Sequence, residues 1–222
     1  MSSKQVIATV RMSQDRKITE SLATAQRTLN TVRTHEPLAT LLTTVGYDDE
    51  NLAQGERLCE ALQEMLLARQ AAMGAERQIN AEVRAAEEAA RRRYADFRRI
   101  ARVLFTDAAS HEALNIDDRV AYDREQFIVQ ARNSYIAAKL DPYADAFAQR
   151  GFNVDALDEA IAGVHALQEA DTLQAIIHSR AMAATQQRNA ANETLRVWMR
   201  QFKQVATVAL RDDPHLCQEL FS

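Results

Sequence analysis

The chain has 222 residues, of which 47% are hydrophobic and 26% charged, with five glycines and three prolines. That composition belongs to a folded chain rather than a disordered one, and it leaves little material for hairpins or long loops. A formal net charge of −4 argues against a surface built wholly for nucleic acid, although a local basic patch is compatible with it. Ala, Leu, Gln, Glu and Arg dominate, and these strong helix formers predict an all-α fold. No stretch approaches the roughly 18 apolar residues that span a bilayer, so no membrane segment is expected. Cys59 and Cys217 stand far apart in sequence, which fits reduced thiols in a cytoplasm better than a disulfide framework.

The opening residues MSSKQVIATVRMSQDRKITE carry no continuous apolar core and no small-residue cleavage site, so they are not expected to be a signal peptide. A first helix is predicted over about residues 18–34. Pro37 then takes an N1-like position in a short helix, which Gly46 closes by adopting positive φ. Asp48 reads as the N-cap of the next helix, and no proline interrupts the chain from there to Asp107. The same order follows again: a helix over about 123–139, Pro142, Gly151, Asn153 as N-cap, and no proline before Pro214.

Sliding the chain by about 105 residues aligns Glu20–Asp107 with Glu125–Asp212 without a gap. Matches include Arg27/Arg132, Pro37/Pro142, Gly46/Gly151, Leu52/Leu157, Phe97/Phe202, Ala101/Ala206 and Asp107/Asp212, and Ala-Leu-Gln-Glu recurs at residues 61–64 and 166–169. Residues 1–107 and 108–222 are therefore expected to be two helical repeats, interlocked as one structural unit. Apolar residues recur at heptad spacing through both long stretches. The first stripe runs Leu52, Cys59, Leu66, Met73, Tyr94 and Ala101, with Leu62, Val83, Ala90, Phe97 and Leu104 beside it. The second has Leu157, Val164, Met199 and Ala206, with Leu167, Ala181, Leu195, Phe202 and Ala209. Polar residues interrupt both centres: Arg69, Glu76 and Asn80 in one, Asp171, His178 and Arg188 in the other.

Both long stretches begin acidic and end basic, which suits the helix macrodipole and places opposite charges face to face if the helices run antiparallel. The expected architecture is a pseudo-twofold duplicated protein, two long coiled-coil-like antiparallel helices capped at each end by shorter ones. A compact helical bundle, with each stretch folding back near Gly74 or Ser179, is the alternative. A mirrored register would set Phe97 near Val164, Tyr94 near Leu167 and Cys59 near Phe202.

Two local patterns also carry a resemblance. The steps Gly46-Tyr47-Asp48 and Gly151-Phe152-Asn153, and the closes Ala101-Arg102-Val103-Leu104-Phe105-Thr106-Asp107 and Ala206 to Pro214, resemble uncharacterised bacterial all-helical proteins with a duplicated unit of about 105 residues. In that group a Pro-started short helix, a Gly-aromatic-Asp step and an Ala-Arg-x-Ala-Phe-x-Asp-x-Pro close occur twice. The first copy here lacks the Asp-Pro step, and the second lacks the Arg and Phe of the close. The resemblance implies the duplicated helical fold and assigns no catalytic or binding residue.

The most conspicuous candidate site is ARRRYADFRRIAR, residues 90–102. Its arginines offer phosphate contacts, and Tyr94 and Phe97 offer stacking, but both aromatics fall on the apolar stripe. Arg91 and Arg98 flank that stripe and are expected to pair with Asp158, Glu159 or Glu169. That leaves Arg92, Arg99 and Arg102 as the candidate anion or partner contacts. The five histidines include no Glu-x-x-His pair of the di-iron bundles, and the two cysteines lack nearby companion ligands for zinc. No Gly-rich phosphate loop or nucleophile motif is present. The expectation is a cytoplasmic, non-enzymatic scaffold or spacer without cofactor or metal, acting through a protein partner or self-association. A nucleic-acid- or anion-associated protein is the alternative.

Overall fold

The computed structural model describes residues 3–221, with side chains from Gln14 onward. These residues form eight α-helices and no strand. They are α1 (Ser3–Thr34), α2 (Glu36–Thr43), α3 (Asp49–Leu104), α4 (Ala108–Ala113), α5 (Arg124–Ala138), α6 (Ala144–Ala148), α7 (Val154–Ala209) and α8 (Pro214–Phe221). The fold is all-α. Both long stretches are single helices of 56 residues, unbroken at Gly74 and at Ser179, so the folded-back alternative is excluded. A lone mid-helix glycine costs only about 1 kcal/mol, which neighbouring helix formers absorb. The first helix also starts earlier than expected, at Ser3 rather than near residue 18, because nothing from Ser3 to Thr34 breaks a helix.

Contacts divide the chain into two compact units, Met1–Ala72 with Ala181–Ser222, and Met73–Arg180. Each unit thus draws on both 1–107 and 108–222. In the first unit, α1, α2 and α8 pack with the start of α3 and the end of α7. The core contains Leu22, Leu29, Leu38, Leu42, Leu52, Leu62, Trp198 and Phe202. In the second, α4, α5 and α6 pack with the end of α3 and the start of α7 around Tyr94, Phe97, Phe127, Tyr135, Phe147 and Leu167.

The Gly-aromatic steps explain how these cores close. Gly46 and Gly151 adopt φ of 90° and 84°, a conformation only glycine takes without penalty. At the first step Tyr47 N–H donates to Leu42 O and Gly46 N–H to Thr43 O. At the second, Phe152 N–H donates to Phe147 O and Gly151 N–H to Ala148 O. Both are Schellman caps, which satisfy the last carbonyls of a helix and fix the exit direction. The next residue caps the long helix that follows. Asp48 Oδ1 accepts from Asn51 N–H at 3.0 Å, and Asn153 Oδ1 from Ala156 N–H at 2.9 Å.

Between cap and N-cap, the aromatic turns inward. Tyr47 meets Phe202 edge-on at 4.9 Å, and Phe152 meets Phe97 at 5.6 Å. Each aromatic therefore packs on the long helix contributed by the other half of the sequence.

Pro142 departs from its expected place. Tyr143 and Ala144 N–H both donate to Leu140 O, so the proline sits inside a turn and α6 begins after it, at Ala144. Pro37 does lie in the first turn of its helix.

Within each unit α3 and α7 run antiparallel, and most stripe residues are buried or half-buried. The register differs from the mirrored one. Gly55 faces Trp198 in the first unit; in the second, Asn80 faces Gln174 and Arg93 faces Glu159. These pairs are displaced from the expected register by roughly one heptad of seven residues. The heptad pattern repeats under such a shift, so apolar spacing alone does not choose between the two. Side-chain size does, because Trp198 needs the space that Gly55 leaves.

Two measurements test this packing. A Cβ added at Gly55 would stand 2.4 Å from the Trp198 ring, whereas one at Gly74 meets nothing within 4 Å. Gly55→Ala should cost about 1–3 kcal/mol through overpacking, and Gly74→Ala should add about 0.4–1 kcal/mol through the unfolded chain. Urea denaturation of both variants checks the opposite signs. Phe202, with 0% exposure, should lose roughly 3–5 kcal/mol on truncation to Ala; a loss under about 0.5 kcal/mol would contradict its central place.

Candidate functional site in the arginine-rich helix

The arginine run occupies the last part of α3 in the second unit, and helical spacing sorts it into faces. Arg91, Arg98 and Arg102 face the irregular segment between α4 and α5. Arg98, 6% exposed, donates to Ile116 O at 2.6 Å and also to Asp118 O. Arg102 reaches the same Ile116 carbonyl at 3.0 Å. Arg91 donates to Ala121 O at 2.8 Å and Tyr122 O at 2.9 Å, with its guanidinium 4.3 Å over the Phe127 ring. Carbonyls outside regular structure need such donors when covered, and a guanidinium supplies several in a fixed fork. Gln130 completes the clamp: its Oε1 accepts from Ala121 N–H and its Nε2 donates to Arg119 O.

The expected partners of Arg91 and Arg98 are therefore corrected. Neither pairs with Asp158, Glu159 or Glu169, because both side chains point at the 116–122 segment rather than at α7. Arg93 takes Glu159 at 2.8 Å and Ala156 O at 2.9 Å, and Lys139 takes Asp158 at 2.5 Å. Tyr94 and Phe97 are fully buried, with Tyr94 Oη 2.9 Å from Ser134 Oγ.

Of the three candidate contacts, Arg102 is thus engaged with a carbonyl. Arg92 and Arg99 remain at the surface. Arg99 makes a 3.6 Å contact with Asp96 in which its own side chain is 79% exposed, a geometry worth little energy. Arg92 has no hydrogen bond or ion pair among the described residues.

The polar interruptions of the stripe each find a partner. In the first unit Asp15 accepts from Arg69 at 2.6 Å and from Arg188, whose side chain is only 2% exposed. Burial, and then the charge of Arg69, pull the Arg188 pKa down against the pull of Asp15. In the second unit Glu76 meets His178 Nδ1 at 2.7 Å. Asp171 pairs with Arg124, which also donates to Glu87 at 2.9 Å. Glu87 takes a second bond from Arg91 at 2.8 Å.

No group of three or more His, Cys, Asp or Glu side chains gathers as a metal site among the described residues. The Cys59 thiol is buried, and burial followed by the charges of Glu56 and Glu60 pushes its pKa up to about 11. It is a protonated core residue at neutral pH rather than a nucleophile. No helix among the described residues is long and apolar enough to cross a membrane.

Glu87 gives a pH test of the arginine clamp. Burial works to raise its pKa, but the hydrogen bonds from Arg91 and Arg124 outweigh it and hold the carboxyl below its ordinary range. A carboxylate depressed in the folded state stabilises above its unfolded pKa, and that contribution fades as pH falls through the folded value. Glu87→Gln should therefore cost roughly 1–2 kcal/mol near pH 7. The gap to wild type should narrow as pH falls below the ordinary carboxylate range, read by urea denaturation over a pH series. A gap independent of pH would show that Glu87 matters by packing alone.

Comparison with protein-family models, with curated proteins and with solved structures finds no match to the chain.

Proposed function

We propose that this chain is a non-enzymatic interaction protein, a cytoplasmic scaffold or spacer built from a duplicated helical unit whose long helices act as a coiled coil. The observation that carries this reading is the recurrence of one local device. The Schellman glycine, the inward aromatic and the N-cap recur about 105 residues apart and close both cores in the same way. A duplicated unit offers two related surfaces for copies of one partner, or for the chain itself. The conspicuous charged side chains support the reading too, since Arg91, Arg93, Arg98 and Arg102 all hold other parts of the fold.

A nucleic-acid role stands second, favoured by the exposure of Arg92 and Arg99. Two cations imply a weak contact, with a slope of log K against log salt of only about −1.8. If this role holds, Arg92→Glu with Arg99→Glu should abolish salt-sensitive binding to DNA or RNA. A wild-type chain that binds neither at low salt removes it.

For the leading reading, affinity purification of the full chain from its native cell, with mass spectrometry, should recover a stoichiometric partner, or sedimentation should show concentration-dependent self-association. A strictly monomeric chain without any enriched partner would count decisively against it.

A further inference from the structure

In the second unit the groove between α3 and α5 is filled by the chain itself. Residues 116–122 run along it, held by Arg91 and Arg98 from one side and by Gln130 from the other. Arg196 and Lys203 stand about 105 residues beyond Arg91 and Arg98, on α7 beside α1 in the first unit. There no described segment crosses them. They line an open cleft of about 340 Å³ with Arg200, faced by Ser21, Thr24 and Thr28 of α1 and ended by Phe221.

The cations of this cleft are available. Arg200 has no hydrogen bond or ion pair among the described residues. Arg196 makes one contact, a 3.0 Å pair with Glu193 in which both side chains are more than half exposed. The Lys203 ammonium lies 5.1 Å over the Phe221 ring. Arg196, Arg200 and Lys203 follow i, i+4, i+7 spacing and so share one face over about 10 Å of helix. An extended chain presents a residue every 3.3 Å or so, hence about three backbone carbonyls along that length.

We propose that this cleft binds an extended acidic segment of a partner polypeptide, as the second unit holds its own residues 116–122. The proposal rests on the reading of the chain as a duplicated interaction protein. Guanidinium and ammonium groups are donors only, so they favour a ligand that supplies carbonyls and carboxylates. The internal counterpart carries Asp117 and Asp118. Single-stranded nucleic-acid sites add aromatic faces for stacking to their cations, whereas Phe221 is already covered by Lys203 and packed at 6.4 Å against Phe202.

The test titrates the full chain with a capped synthetic peptide copying residues 116–123, IDDRVAYD, by calorimetry and by amide NMR. Saturable binding is expected, with shifts gathered at residues 21–28 and 196–203. Arg200→Glu with Lys203→Glu should weaken it by about tenfold or more, roughly 1.4 kcal/mol, with helicity unchanged by circular dichroism. If that double variant misfolds, Arg200→Ala alone should still weaken binding several-fold. A peptide with Asn at both Asp positions should bind more weakly than the acidic one. The proposal is overturned by absence of saturable binding, by binding indifferent to these substitutions, or by tighter binding of a single-stranded oligonucleotide or inorganic phosphate. If the peptide fails while the native-cell purification still recovers a partner, the cleft proposal falls and the wider reading stands.

Discussion

The contact on which both cores depend is an aromatic ring delivered by a glycine. A helix that ends in a Schellman turn leaves in a direction set by two hydrogen bonds, and here that direction aims Tyr47 and Phe152 at the long helices. Phe202 and Phe97 receive them, each also touching other rings: Trp198 and Phe221 in one unit, Tyr94, Tyr135 and Phe147 in the other. Edge-to-face packing adds to the area such rings bury. Because each ring comes from one half of the sequence and its receiver from the other, neither half closes a core alone.

Polar groups on the long helices then fix what apolar spacing leaves open. A strict heptad repeat tolerates a slip of one heptad, and a buried polar residue is the usual device against slippage. The pairs Asp15 with Arg69 and Arg188, Glu76 with His178, and Arg124 with Asp171 are satisfied in one alignment. Removing Asp15 would leave Arg188, whose side chain is 2% exposed, buried and uncompensated, which is more damaging than never having had the pair. Gly55 under the Trp198 ring adds a steric lock of the same sense.

What the sequence disclosed follows the range of each interaction. Gly46, Gly151, Asp48 and Asn153 were legible because turn and cap chemistry is local, decided within a few residues. Continuity of α3 and α7 was legible from the missing prolines. Pro142 misled, since a proline serves a turn as well as a first helical turn, and only the bonds to Leu140 distinguish them. Register was hidden because it depends on side chains far apart in sequence, and Trp198 with Gly55 was the overlooked signal: the only Trp, opposite a glycine. The partners of Arg91 and Arg98 were hidden for a different reason. They are backbone carbonyls, which every residue carries, so no residue type marks them. The outward positions of Arg92 and Arg99 followed from helical spacing alone.

The solitary Trp198 has a further consequence. It lies in the first unit, stacked at 5.4 Å on Phe202 and 7% exposed, while the second unit holds tyrosines and phenylalanines but no tryptophan. Its fluorescence emission is therefore a signal from one unit, whereas far-ultraviolet ellipticity sums over every helix. Superimposable unfolding curves from the two signals would mean that α3 and α7 transmit unfolding along their length and the chain melts as one. Separated curves would mean that each core melts on its own terms, with the emission naming which goes first.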